Sequence, residues 1–191
     1  MKRFFDVIIS LSGLIILSPL LALTAVIIFI DDGLPVVFRQ KRIGKDAQLF
    51  TIYKFRTMKK NTRSAATGEL KESDEQITGS GRILRKTSID ELLQLVNVLN
   101  GSMSIVGPRP LIPEEKEIHA LREAYGVYKV RPGVTGWAQI NGRDALDDET
   151  KALYDKEYVE KQSILFDIKI LIRTVLVVLR RENITEGAEN K

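Results

Sequence analysis

The sequence predicts an α+β protein that is mainly helical. It combines an N-terminal re-entrant membrane helix-break-helix hairpin, a small β-hairpin, and a compact cytoplasmic helical domain with interfacial amphipathic helices. Three observations carry that prediction. Val7 to Ile30 holds 24 residues without a charge, with Pro19 at its midpoint. Leu34 to Met58 holds two β-branched and aromatic runs around Gly44-Lys45-Asp46. Arg82 to Asn100 and Ser163 to Arg181 repeat apolar residues with a helical period. The expected division is 1–33 for the membrane hairpin, 34–181 for the catalytic-sized domain at the membrane interface, and 182–191 for a polar, disordered tail.

A helix of that apolar length runs about 36 Å, enough to cross a hydrocarbon core of about 30 Å. Three features point instead to entry and exit on one face. Pro19 removes an amide and clashes with the carbonyl of Ile15, and Ser18 can turn its hydroxyl onto the carbonyl set free. Each half is about 18 Å, close to one leaflet. Lys2 and Arg3 precede the segment and Arg39, Lys41, Arg42 and Lys45 follow it, so both flanks carry the basic residues that mark the cytoplasmic side. A kinked single-pass anchor is the competing reading. A cleaved signal peptide fits less well, because the run is too long and ends in Asp31-Asp32-Gly33 without a small-x-small site.

Downstream, Val36 to Gln40 and Gln48 to Met58 read as the two strands of a hairpin. Lys59 to Gly81 is polar and Gly/Ser/Thr-rich and reads as a long loop. Arg82 to Asn100 is the strongest soluble helix, and Ser88-Ile89-Asp90-Glu91 has capping-box spacing, so a break or new start is expected at Ser88. Pro113 to Tyr125 and Asp147 to Gln162 read as polar helices. Val130 to Arg143 is too rich in Gly and Pro for a regular element and reads as a shaped loop. Ser163 to Arg181 is too charged to span a bilayer and suits the core surface or the interface.

Composition narrows the chemistry. The net charge is +4, and Arg39 to Arg63 carries nine Lys/Arg against one acid, Asp46. Such a block suits anionic headgroups or a phosphorylated ligand. With no cysteine there is no thiolate metal site and no disulfide framework. The one histidine, His119, lies in a polar helical stretch and reads as a solvated surface residue, so histidine triads and histidine metal sites are poor candidates.

Asp90-Glu91 is the first candidate for chemistry. Acids at a helix start complement its dipole without further purpose. Yet Arg82, Arg85 and Lys86 lie just upstream, and a carboxylate there can hold Mg2+ with phosphate oxygens or act as a nucleophile. In Gly107-Pro108-Arg109-Pro110, two prolines present one guanidinium with little freedom, which suits phosphate; a plain surface turn is the alternative. Arg131, Trp137 and Arg143 sit among glycines in a pattern suited to a phosphate and a flat base.

Taken in order, several motifs resemble one family. They are Lys2-Arg3-Phe4-Phe5-Asp6 before the Ser18-Pro19 segment, Val37 to Gly44, Tyr53-Lys54-Phe55-Arg56-Thr57-Met58, Arg85 to Leu92, Val106 to Pro110, and Arg131 to Trp137. The set is similar to the bacterial sugar transferases, the monotopic polyprenyl-phosphate phosphoglycosyl transferases, in their minimal catalytic core. The resemblance covers Lys2 to about Arg181. It implies transfer of a phospho-sugar from a UDP-sugar to undecaprenyl phosphate, with Mg2+ as cofactor and UMP released.

It further implies Asp90 as nucleophile and metal ligand, and Glu91 as its partner in the second step or at the metal. Arg85, Arg109, Arg131 and Arg143, then Lys54 and Arg56, are the expected phosphate or nucleotide contacts. The bacterial inner membrane, reached from the cytoplasmic face, is the expected location, with its lipid as a partner. No nucleic-acid partner is expected, and a homodimer is left open. A membrane-tethered scaffold without catalysis is the rival from another class.

Overall fold

A computed structural model describes residues 1–60, 76–142 and 145–180. Most of the expected 59–81 loop, Arg143 and the 182–191 tail lie outside the described residues.

The first element, α1 (Lys2–Asp32), is one long helix that contains Pro19. The expected interruption at Ser18-Pro19 does not divide it. The Ser18 hydroxyl donates to the Ile15 carbonyl at 2.8 Å, the group that proline leaves without an amide. Large apolar side chains cover most of its surface, among them Ile8, Ile9, Leu11, Ile15, Ile16, Leu23, Val26 and Ile30, and all are exposed. A helix that is apolar all round yet unburied belongs in lipid.

One narrow stripe of α1 faces the rest of the protein. Asp6, Ser10, Thr24 and Ile28 are buried along it, and Gly13 lies against Leu95. Both ends are tied down. At the start, Lys2 pairs with Asp167 at 2.6 Å, and Arg3 donates to the carbonyls of Val98 and Leu99. The Asp6 carboxylate accepts from the Ser104 hydroxyl at 2.9 Å and from the Ile105 amide at 3.0 Å. At the end, Arg56 donates to the Asp32 and Gly33 carbonyls at 2.9 and 2.8 Å, and the Ser80 amide donates to Asp31 at 2.8 Å.

The expected hairpin forms: β1 (Val37–Ile43) pairs antiparallel with β2 (Leu49–Phe55), with Phe38 opposite Lys54 and Arg42 opposite Phe50. The helical stretch expected over 82–100, with a break or new start near Ser88, is three pieces. Thr78 caps α2 (Gly79–Lys86) by accepting from the Gly81 amide, so this helix starts inside the segment read as loop. A 3-10 turn follows at Ile89–Glu91, and then α3 (Gln94–Leu99). The break falls at Ser88, as the spacing predicts, but no capping box forms. Ser88 adopts φ 54°, a left-handed conformation, and its side chain caps nothing.

Next come β3 (Ser104–Val106), α4 (Lys116–Ala124), β4 (Gly133–Thr135), α5 (Trp137–Ile140), α6 (Asp148–Lys161) and α7 (Ile164–Arg180). The stretch read as an irregular loop therefore holds a short strand, parallel to β3, and a helical turn. The core gathers Val98, Met103, Val106, Trp137, Tyr158 and Ile170 between these elements. Helix α7 sends Asp167 and Ile170 inward and leaves Leu165, Ile168, Ile172, Val175 and Leu176 exposed. His119 is half-buried rather than solvated: its Nε2 meets the Ile112 carbonyl at 2.7 Å and its Nδ1 the Tyr128 hydroxyl.

The anchor at Asp6 has a measurable weight. Asp6→Ala leaves a buried hydroxyl and a buried amide without their acceptor, which should cost about 2–4 kcal/mol of stability. Asp6→Asn, which keeps one acceptor oxygen, should lose less. Denaturant unfolding in detergent would measure both.

Candidate active site

The site is assembled from the hairpin, the broken helix and two glycine-rich loops. Ser88 turns the chain sharply after α2, and the 3-10 turn then carries Asp90 and Glu91 inward. Ile89 and Leu93, on either side of the pair, pack with Phe55 and Leu84. Asp90 is only 8% exposed. Glu91, which helix grammar assigns to a capping box, instead meets the Lys54 amino group at 2.6 Å and the Arg109 guanidinium at 3.7 Å.

Lys54 arrives from β2 and Arg109 from the turn after β3. That turn rests directly on the 131–137 loop. A Cβ on Gly133 would sit 2.1 Å from the Gly107 nitrogen, and one on Gly136 would sit 2.1 Å from the Gly107 carbonyl oxygen. Only glycine permits two backbones to approach so closely.

Beside the Lys54–Glu91 pair opens a small cavity, lined by Arg42, Lys54, Gln94 and Arg109 with Ile52 and Val134 as apolar wall. Its electrostatics are those of crowded cations. Burial pulls the pKa of Lys54 down, while the Glu91 charge works against that shift. Burial, and then the nearby Arg109 charge, bring Arg42 down to about 10. An anion entering the cavity would relieve both costs.

Of the residues expected from the sequence, Asp90, Glu91, Lys54 and Arg109 come together. Arg85 is near them at the end of α2, where its Nε donates to the Thr57 hydroxyl at 2.9 Å. Arg56 is used elsewhere: it is 7% exposed and holds the end of α1, including an ion pair with Asp32 at 2.9 Å. Arg131 is exposed and its Nε donates to the Gly101 carbonyl at 2.8 Å. Arg143 lies outside the described residues. Trp137 belongs to the core, 9% exposed, with its Nε1 donating to Glu157 at 2.7 Å and Lys169 and Arg173 against its ring.

Arg42 and Gln94 are the residues that sequence reasoning missed. The sequence alone groups Arg42 with Arg39, Lys41 and Lys45 as the basic flank that follows the membrane segment. A strand alternates its faces, so Gln40 and Arg42 point to the side of Ile52 and Lys54, while Arg39 and Lys41 point to the other. The alternation was the available signal, once Lys54 was placed on the opposite strand.

Among the described residues, no three His, Asp or Glu side chains gather as a ready-made metal cage. Mg2+ does not need one. It commonly takes one or two protein carboxylates and completes its shell with substrate phosphates and water. The adjacent Asp90 and Glu91 carboxylates, the second bonded to two cations that line the cavity, fit that donor set.

Residues 1–181 match the family described as bacterial sugar transferase. The chain is 42% identical over 186 residues to an uncharacterized sugar transferase, EpsL, of Bacillus subtilis, covering 97% of this chain and 91% of that one. It is 40% identical to the UDP-glucose:undecaprenyl-phosphate glucose-1-phosphate transferase of Escherichia coli, over 92% of this chain and 39% of that protein. With the undecaprenyl-phosphate galactose phosphotransferase of Salmonella typhimurium the identity is 39%, over 95% of this chain and 41% of the other. The chain thus spans nearly all of the first relative and about two fifths of the other two.

The buried lysine gives the site a pH signature. Its folded pKa lies below its unfolded value, so unfolding takes up a proton between the two, and stability rises with pH across that interval. Wild type should therefore gain on Lys54→Met as pH is raised towards the ordinary lysine value of about 10.4. Urea unfolding at several pH values measures the two stabilities; a wild type that loses ground to Lys54→Met over that rise would contradict the lowered pKa.

Proposed function

The chain belongs to the bacterial sugar transferase family, and from that premise we propose that it moves a phospho-sugar from a UDP-sugar to undecaprenyl phosphate and releases UMP. The observation that carries this reading is the Asp90-Glu91 pair, with Asp90 buried and Glu91 bonded to Lys54 and Arg109, beside a cavity that those two cations share with Arg42. Cations there neutralise the charge that otherwise keeps an anionic nucleophile away from a diphosphate. The names of the relatives from Escherichia coli and Salmonella typhimurium describe transfer to undecaprenyl phosphate.

The proposed chemistry is two displacements at one phosphorus. An Asp90 carboxylate oxygen attacks the β-phosphorus of the UDP-sugar, forming an acyl phosphate. The bond from that phosphorus to the bridging oxygen breaks, and UMP leaves with its electron pair. An oxygen of the lipid phosphate then attacks the same phosphorus and displaces Asp90. Splitting the transfer lets donor and acceptor phosphates use one set of cations in turn. Glu91 is tied to Lys54 and Arg109 and so keeps two of those cations aligned with the dyad. Asp90, with Glu91 beside it, would hold Mg2+, which when bound adds charge neutralisation at the diphosphate.

We also propose that α1 enters and leaves the bilayer on the cytoplasmic face. Its two ends are bonded to the same domain, through Lys2, Arg3 and Asp6 at one and Asp31 and Asp32 at the other. A domain on one side of a bilayer of about 30 Å cannot hold both ends of a crossing helix. The exposed apolar face of α7, with Lys169 and Arg173 beside Trp137, suits the same interface.

Two experiments test these readings. Intact-mass measurement after incubation with Mg2+ and a panel of UDP-sugars, without lipid, should show a gain of one phosphosugar with UMP released. Both should vanish in Asp90→Asn. Release of UMP only after polyprenyl phosphate is added would remove the covalent step, an adduct that persists in Asp90→Asn would remove Asp90 as nucleophile, and neither adduct nor UMP from any donor, with or without lipid, would favour a scaffold. For topology, Phe4→Cys and Leu34→Cys, both at exposed positions near the two ends of α1, should be labelled from the same side of sealed vesicles by an impermeant thiol reagent; opposite sides would mean a crossing.

A further inference from the structure

Arg109 reaches Glu91 from a turn whose carbonyls are claimed from outside it, by β1, β4 and α4. The Pro108 carbonyl accepts from the Gly133 amide at 2.8 Å, and the Leu111 carbonyl from the Ile43 amide at 3.0 Å. The Pro110 carbonyl accepts from Arg42 Nη1 at 3.3 Å, and the Ile112 carbonyl meets His119 Nε2. The carbonyl of Arg109 itself accepts from Arg122 Nη1 at 2.8 Å. Prolines on both sides of Arg109 supply no amide, so the turn has few ways to fix itself from within.

Arg122 is a costly group to use for this. It lies on α4, is 3% exposed, and carries a full charge. Its second donor, Nη2, goes to Asp155 on α6, which is 1% exposed, and its Nε has no hydrogen-bond partner among the described residues. Burial of such a pair is a poor source of stability, because two charges lose their water. A guanidinium does one thing here that a lysine or an apolar residue cannot. Its planar fork holds a carboxylate and a carbonyl at a fixed angle to each other. Neither α4 nor α6 contributes a side chain to the cavity, so the pair acts on the site only through the Arg109 backbone.

We propose that Arg122, braced by Asp155, is a positioning residue for Arg109: it fixes the main chain from which Arg109 reaches Glu91 and the phosphate. This rests on the transferase reading for its consequence in catalysis, but not for its consequence in structure.

The test uses the full chain in detergent with Arg122→Lys, which keeps the charge beside Asp155 but not the fork. Amide hydrogen exchange at Gly133, whose N–H is bonded to the Pro108 carbonyl, should quicken by about tenfold or more, while exchange within β2 stays as in wild type. UMP release should fall about tenfold, and adding Arg109→Lys to Arg122→Lys should do little more damage than Arg109→Lys alone, within about twofold. Unchanged exchange at Gly133, or activity losses that multiply, would overturn the proposal. If Arg122→Lys does not fold, Asp155→Asn keeps the shape and an acceptor oxygen, and the same readouts decide. A wild type that releases no UMP from any donor would defeat the transferase reading, and the exchange measurement would still decide the role of Arg122.

Discussion

The Lys54–Glu91 ion pair is the constraint on which the arrangement of the site depends. A lysine amino group drawn from water needs a carboxylate at contact distance, and Glu91 supplies it from the 3-10 turn that interrupts the helix. A continuous helix over 82–100 would have had no such turn. Instead the left-handed Ser88 redirects the chain, the 3-10 turn inserts the dyad, and α3 restarts beyond it. The hairpin is then held in register with α3 by Asn97, whose side chain bonds both the Tyr53 amide and the Thr51 carbonyl.

The same economy governs the membrane element. Helix α1 is long and apolar enough to lie in lipid, yet charged residues at its ends tie it to the domain. Three of them meet groups that also serve the site or its supports. Asp6 holds β3, Arg3 holds the end of α3, and Asp32 holds Arg56, two residues beyond Lys54. Displacing the apolar helix therefore strains the strands and helix that carry the cations and the dyad. Anchoring in lipid and geometry of the cavity are one mechanical system.

Buried charge recurs at two levels. Lys54, Arg42 and Arg109 crowd the cavity, where the cost of bringing like charges together is relieved by an anion. Arg122 and Asp155 lie behind, closed to solvent and satisfied by each other and by a carbonyl. The first arrangement stores a demand for a ligand, and the second holds one of its members in place. Arginine suits both tasks because its charge persists at any ordinary pH and its donors have fixed directions.

The sequence by itself determined the elements whose signals are local. Charge-free length, alternation, proline and glycine fixed the apolar helix, the hairpin, the break at Ser88 and the rigid turn around Arg109. Ordered motifs singled out Asp90, Glu91, Lys54 and Arg109 as residues of one site. The tertiary structure alone decided which of the remaining arginines belong with them. Arg42, Arg56 and Arg131 are chemically the same side chain, and alternation along the strand distinguishes Arg42 only once its pairing with β2 is known. Strand parity sends Arg42 into the cavity, the end of α1 captures Arg56, and the Gly101 carbonyl holds Arg131 at the surface. The partner of a charged group is set by what lies across the fold from it, and that neighbour comes from a distant part of the chain.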